Sequence, residues 1–102
     1  MDLFVDEVRV WDGTGAPALA GMDVWIHDGV IAGLADELTP PEGAQVVDGR
    51  GLTAVPGLID AHVHLSLDPG GALRNDTPAV RDTLLRQHLA AYLACGVTTI
   101  VD

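Results

Sequence analysis

Apolar and polar positions follow two different rhythms on either side of Pro56. Upstream, short runs rich in Val and aromatic residues alternate in part with polar ones, the period of two expected of half-buried strands. LFVDEVRVW, residues 3–11, is the first such run, and DGTGAPALAG breaks it with glycines at 13, 15 and 21 and a proline at 17. Those residues supply positive φ and remove a backbone donor. DVWIHDGVIAGL follows, two apolar runs joined by Asp28-Gly29, a dipeptide suited to the mirror-image turn of a tight hairpin. A polar stretch stiffened by Pro40 and Pro41 leads to QVVDGRGLTAVPG, where Gln45–Val47 and Leu52–Val55 flank Asp48-Gly49-Arg50-Gly51 and read as a second hairpin. The segment predicts a small antiparallel sheet of about five short strands, and nothing in it looks catalytic.

Downstream, LIDAHVHL is a near-continuous apolar run apart from Asp60, His62 and His64, the texture of a buried parallel strand. A polar loop with Pro69, Gly70 and Gly71 leads to Thr77-Pro78, an N-cap followed by proline at the first helical position. Leu85, Leu89, Tyr92 and Leu93 then recur at helical spacing, Val80 and Leu84 widen the stripe, and Gly96 ends the helix. VTTIV, residues 97–101, is a second strand, so residues 57–101 spell strand, helix, strand: one βαβ unit. Asp102 follows that strand without the loop an α/β unit needs next, and a lone βαβ unit leaves both strands as edges. The chain therefore reads as truncated, and self-association through unclosed sheet edges is expected.

Composition narrows the function classes. The chain has 102 residues, 48% of them hydrophobic, enough for a modest core. Fifteen Asp and Glu against five basic residues, all Arg, give a formal net charge of −10. Nucleic acid and anionic membranes need clustered cations, so neither is an expected partner. The first residues show no basic segment followed by an apolar core, and no apolar run approaches the roughly 20 residues that cross a bilayer. A cytoplasmic location is expected. Cys95 is the single cysteine, with no second thiol for a disulfide or a metal site, and reads as a reduced packing residue.

Two imidazoles in an apolar strand need a reason. Side chains alternate along a strand, so Asp60, His62 and His64 should project to one side and Ile59, Ala61, Val63 and Leu65 to the other. Positions two apart stand about 6.5–7 Å from each other, near enough for the rings to lean onto one metal ion at roughly 2.1 Å per bond. A bare His-x-His arises often by chance, and a buried histidine more commonly satisfies a core hydrogen bond. Burying two unpaired imidazoles against an apolar strand is nonetheless unfavourable, and coordination recovers that loss. Asp60 either orients a ligand or stands near the metal as a supporting carboxylate, or is a strand-entry acid bonded to backbone.

VWDGTG, DVWIHDGVIAGL, GAQVVDGRGLTAVPGLIDAHVHL and GVTTIVD occur in this order. Together they resemble the N-terminal part of amidohydrolase-superfamily enzymes, especially the imidazolonepropionase-like and prolidase-like branch. PGLIDAHVHL is the most specific piece, and the resemblance covers essentially the whole chain. It implies a mixed fold, a (β/α)₈ TIM barrel joined to a small composite β-sandwich. On that basis residues 1–55 are the N-terminal part of the sandwich. Residues 56–102 are the first strand, first helix and second strand of an incomplete barrel, with His62 and His64 at the C-terminal end of the first strand, where barrel active sites lie.

The resemblance also implies one or two divalent metals, often zinc, with His62 and His64 among the ligands and Asp60 behind them. Metal-activated water would attack the carbonyl carbon of a small-molecule amide or cyclic amide, splitting a non-peptide or dipeptide carbon–nitrogen bond. The other ligands and the base belong to later strands, so the chain carries no catalytic residue of its own and is expected to be inactive alone. The remaining histidines are poorly placed for such a site. His27, just before Asp28-Gly29, reads as an exposed strand histidine, and His88 as a surface or helix-packing residue. Asp102 stands where it would shape the pocket rim, and Trp11 and Trp25 read as sandwich packing. Two other readings stay open: a standalone metal-binding or interaction module, and one chain of a split hydrolase.

Overall fold

The computed structural model describes residues 1–65, 67 and 77–102; the polar loop expected around Pro69, Gly70 and Gly71 lies outside them. The chain divides into two compact units, Met1–Pro56 and Gly57–Asp102. No described helix is long and apolar enough to cross a membrane.

The first unit is a five-stranded sheet of β1 (Asp2–Val10), β2 (Leu19–His27), β3 (Val30–Ala35), β4 (Gln45–Asp48) and β5 (Thr53–Ala54). Its order is β3-β2-β1-β4, with β5 also on β1. The β2–β3 hairpin forms where the sequence predicts it, with His27 opposite Val30. Asp28 and Gly29 both take positive φ, 47° and 81°, as the mirror-image two-residue turn requires and as Asp-Gly tolerates.

The second expected hairpin does not exist. β4 and β5 do not pair with each other; both lie parallel to β1, so the sheet is mixed rather than antiparallel. The intervening turn is a sideways jog. Leu52 N–H donates to Gly49 O at 2.9 Å, and Gly49 N–H donates to Asp6 O at 2.6 Å. A Cβ on Gly49 would stand 2.6 Å from both Asp6 O and the Val8 Cβ, so this glycine serves close backbone approach and not chain reversal. The jog sits beside an irregularity in β1. Between Val5 and Val8 the β1–β2 register gains a residue on β1, and between Val8 and Val10 it gains one on β2, a pair of compensating bulges.

Burial concentrates at that irregularity. Phe4 and Val8 are 1% and 2% exposed, and Val24 completes the small apolar core. Burying Phe4 alone is worth about 1.5–3 kcal/mol. Asp23 is buried beside them, and its two carboxylate oxygens accept the Glu7 N–H at 3.0 Å and the Leu38 N–H at 2.9 Å. These bonds, the one from Glu7 foremost, hold its carboxyl below the usual carboxylate range. They also fix Glu7 at a φ of 52°, a conformation unusual for a residue with a Cβ. Of the two tryptophans, Trp25 is half-buried, whereas Trp11 is 44% exposed and packs less than expected.

The second unit contains β6 (Leu58–Asp60), α1 (Pro78–Ala94) and β7 (Val97–Ile100). β6 and β7 pair in parallel, with Thr98 as an extra residue between Val97, opposite Leu58, and Thr99, opposite Ile59. Gly57 sits against that bulge, and a Cβ there would fall 2.0 Å from the Thr98 Oγ1. Thr77 and Pro78 occupy the expected N-cap and first helical positions, although the Thr77 side chain makes no capping bond. At the other end Cys95 is the C-cap, and Gly96 follows with φ 80°, the left-handed residue that closes a helix. Cys95 is exposed instead of packed. Only one edge of the apolar helical stripe is used: Leu84, Leu85, His88 and Tyr92 are half-buried, whereas Val80, Leu89 and Leu93 are exposed.

Candidate metal centre

The strand that carries the histidine pair is shorter than expected. β6 ends at Asp60, so His62 and His64 lie just past its C-terminal end and not within a regular strand. Two backbone bonds nevertheless extend the pairing: Val101 N–H donates to Asp60 O at 3.0 Å, and Val63 N–H donates to Val101 O at 3.0 Å. Val63 is drawn inward to 4% exposure, while its neighbours His62 and His64 are exposed. Alternation of faces thus outlasts the ladder that normally enforces it.

The consequence is a converged pair of ring nitrogens. His62 Nε2 and His64 Nε2 are 3.1 Å apart. The rings meet edge to face, with centroids 4.8 Å apart and planes at 88°. For neutral imidazoles one Nε2 donates and the other accepts, so the contact is itself a complete hydrogen bond. With both protons on Nδ1 instead, the two Nε2 lone pairs would be free for a cation between the rings. Two ligands on a tetrahedral ion at bonds of roughly 2.0–2.1 Å stand about 3.3 Å apart, near the observed 3.1 Å, which is also an ordinary hydrogen-bond length.

Asp60 is half-buried, and its Oδ1 accepts the His62 backbone N–H at 3.2 Å. Its contact is to the main chain and not to a ring nitrogen, so it sets the backbone conformation leading into the pair. Among the described residues no group of three or more His, Cys, Asp or Glu side chains converges as a metal cluster.

His88 reads from the sequence as a surface or helix-packing residue, and the structure gives it a specific contact. His88, from α1, places Nδ1 3.3 Å from the Leu65 carbonyl oxygen. A carbonyl only accepts, so this contact puts the proton on Nδ1. Leu65 directly follows His64, and the bond ties that segment to the helix. His64, Leu65, His88, Tyr92 and Cys95 together help to line an open, mainly apolar cavity of about 440 Å³. The clue in the sequence was that His88 falls on the same helical edge as Leu85 and Tyr92.

Two further candidates are His27 and Asp102. His27 is half-exposed, in the first unit. Its Nδ1 lies 2.7 Å from Asp2 Oδ1, and the Trp25 Nε1–H donates to the same oxygen at 2.8 Å. The Trp25 bond, followed by His27, lowers the Asp2 carboxyl from its ordinary value. Asp102 is exposed just beyond β7.

No protein-family model matches the sequence. The chain is similar to a dihydroorotase of Citrifermentans bemidjiense, 49% identical over 57 residues, which is 56% of this chain and 13% of that protein. It is also similar to an allantoinase of Enterococcus faecalis, 41% identical over 83 residues, or 78% of this chain and 16% of the relative. Among solved structures, an amidohydrolase superimposes with a TM-score of 0.78 at 27% identity, over 98% of this chain and 25% of that one. The chain thus spans 13–16% of the length of these curated relatives.

Proposed function

Because the chain belongs to the amidohydrolase superfamily, we propose that His62 and His64 are two protein ligands of a divalent metal in an enzyme that hydrolyses carbon–nitrogen bonds. The observation that carries this reading is the 3.1 Å separation of two exposed Nε2 atoms just past the end of β6. Imidazole nitrogen suits zinc among the available divalent ions. The names of the sequence relatives, dihydroorotase and allantoinase, favour a small cyclic amide as substrate. When bound, the ion supplies Lewis acidity toward a carbonyl and a lowered pKa for water.

The chain's own residues hold and orient. Val63, anchored to Val101, turns the two rings outward together; Asp60 fixes the backbone at His62; His88 fixes it after His64. In this reading residues 1–55 are part of a composite β-sandwich, and residues 56–102 begin a (β/α)₈ barrel whose site lies at the C-terminal end of its first strand. Catalytic zinc normally takes three protein ligands, so the two here do not sustain turnover by themselves. The reducing cytosol suits a chain with one free thiol.

Equilibrium dialysis against zinc tests the assignment. Either His62→Gln or His64→Gln should weaken binding by at least tenfold, with the far-ultraviolet circular dichroism of the metal-free protein unchanged. Affinity that survives the double substitution would remove the pair from the metal site.

A further inference from the structure

We infer that Gly57 and Thr98 are positioning residues for the histidine pair: the notch left by Gly57 admits an extra residue in β7, and that residue decides which main-chain groups anchor the pair. The inference rests on the proposed ligand role of His62 and His64 and adds what holds them in place. Gly57 has no positive φ, so its missing side chain serves space and not backbone conformation. A Cβ there would overlap Thr98 Oγ1 and Cγ2 and stand 2.7 Å from Thr98 Cβ. Thr98 is the residue of β7 without a partner on β6, between Val97 opposite Leu58 and Thr99 opposite Ile59. Only glycine at 57 leaves it room.

The extra residue shifts everything after it. A regular parallel ladder starting from Leu58 and Val97 would bring Thr99 opposite Asp60, whereas the bulge brings Ile100 there. The Val101 N–H then reaches Asp60 O, and Val101 O accepts the Val63 N–H, both at 3.0 Å. Val63 stands between the two histidines and is buried, so this anchor fixes the position that turns both rings outward. The bulge also reconciles two burials. Val97 and Ile100 are both half-buried, although side chains three apart on a regular strand face opposite sides; one inserted residue returns them to the same side. A side chain at 57 would displace Thr98, and β7 would either slip by one residue or part from β6. Both remove Val101 from between Asp60 and Val63.

The test compares Gly57→Ala with Gly57→Ala/Thr98→Ala and Gly57→Ala/Thr98→Gly in the 102-residue chain. It reads amide hydrogen exchange at Val63 and Val101, the nuclear Overhauser contact between the His62 and His64 rings without metal, and Zn²⁺ affinity by equilibrium dialysis. Gly57→Ala should lose the exchange protection of both amides and the contact between the rings, and should weaken zinc binding by about tenfold or more. Adding Thr98→Gly should restore each readout to the wild-type level, and Thr98→Ala, which keeps the Cβ, should restore them in part. Protection and ring contact unchanged in Gly57→Ala would overturn the inference. A loss that neither Thr98 substitution repairs would overturn it too, since a general failure of the second unit to fold gives that result. If the wild-type chain binds no zinc at the pair, the ligand reading fails, while the exchange and ring-contact measurements still decide the positioning.

Discussion

The two units of the chain handle their apolar surface in opposite ways. Met1–Pro56 encloses Phe4, Val8 and Val24 and satisfies its one buried carboxylate, Asp23, with two backbone donors. Gly57–Asp102 buries Val63 but leaves Leu58, Ile59, Leu89, Leu93 and Val101 exposed, and it carries the histidine pair. A sheet of five strands can bury residues that a pair of short strands cannot. The histidine pair thus lies in the unit with the fewer buried apolar side chains, and its geometry depends on a few identifiable anchors.

The largest effect should come from exchanging the same kind of substitution between the units. Phe4→Ala empties the centre of the five-stranded sheet and is expected to lose about 3–5 kcal/mol of stability. Leu93→Ala, on an exposed helical face, should change it by no more than about 0.5 kcal/mol. Denaturant titration of both variants checks this, and equal losses would erase the contrast.

Next in size is Asp23. Removing its carboxylate strands the Glu7 and Leu38 N–H groups and releases the positive-φ residue at the bulge, a loss of about 2–3 kcal/mol. Its folded-state pKa is depressed below the ordinary 3.8. The stabilisation is therefore present above that value and disappears as pH falls through the lower folded value. Asp23→Ala should flatten this acid limb of the stability profile, which thermal melts across the acid range would show. Asp48 is held down at about 2 by the Arg50 guanidinium and by the Arg50 backbone N–H, both of which donate to it. That pair is fully in solvent, so its contribution to the same limb should be minor.

The smallest effect should be the most specific. His88→Gln removes the bond to the Leu65 carbonyl and should weaken zinc binding about tenfold with little change in unfolding midpoint. A spectroscopic readout separates positioning from folding: the His64 ring resonances should broaden in the variant while those of His27 stay put. A large loss of stability with unchanged zinc affinity would make His88 a packing residue, as its sequence position first suggested.

What was legible in the sequence was local. Asp28-Gly29 fixed its own hairpin because both positive φ values lie within the dipeptide, and Thr77-Pro78 with Gly96 bounded α1 for the same reason. The same Asp-Gly pair at 48 and 49 misled, because Gly49 answers to β1, more than forty residues earlier in the chain, and parallel pairing leaves no local mark. The histidine spacing pointed to a shared face, yet the reason it works differs from a regular strand: β6 stops at Asp60, and Val63 keeps the alternation through Val101. The Asp23 clamp was invisible, since an aspartate in a strand-like run carries no sign of which distant N–H groups it will accept. Cys95 was expected to pack because a lone thiol has no disulfide or metal partner, yet it stands at the C-cap of α1 and is exposed.

The most direct test of the account is a two-bond ¹H–¹⁵N correlation of the imidazoles during a zinc titration. The four histidines, at 27, 62, 64 and 88, report in one spectrum. The account predicts that the Nε2 resonances of His62 and His64 move together to metal-bound positions while His27 and His88 remain as they were. Zinc that shifts His27 or His88 instead, or that moves only one member of the pair, would contradict it.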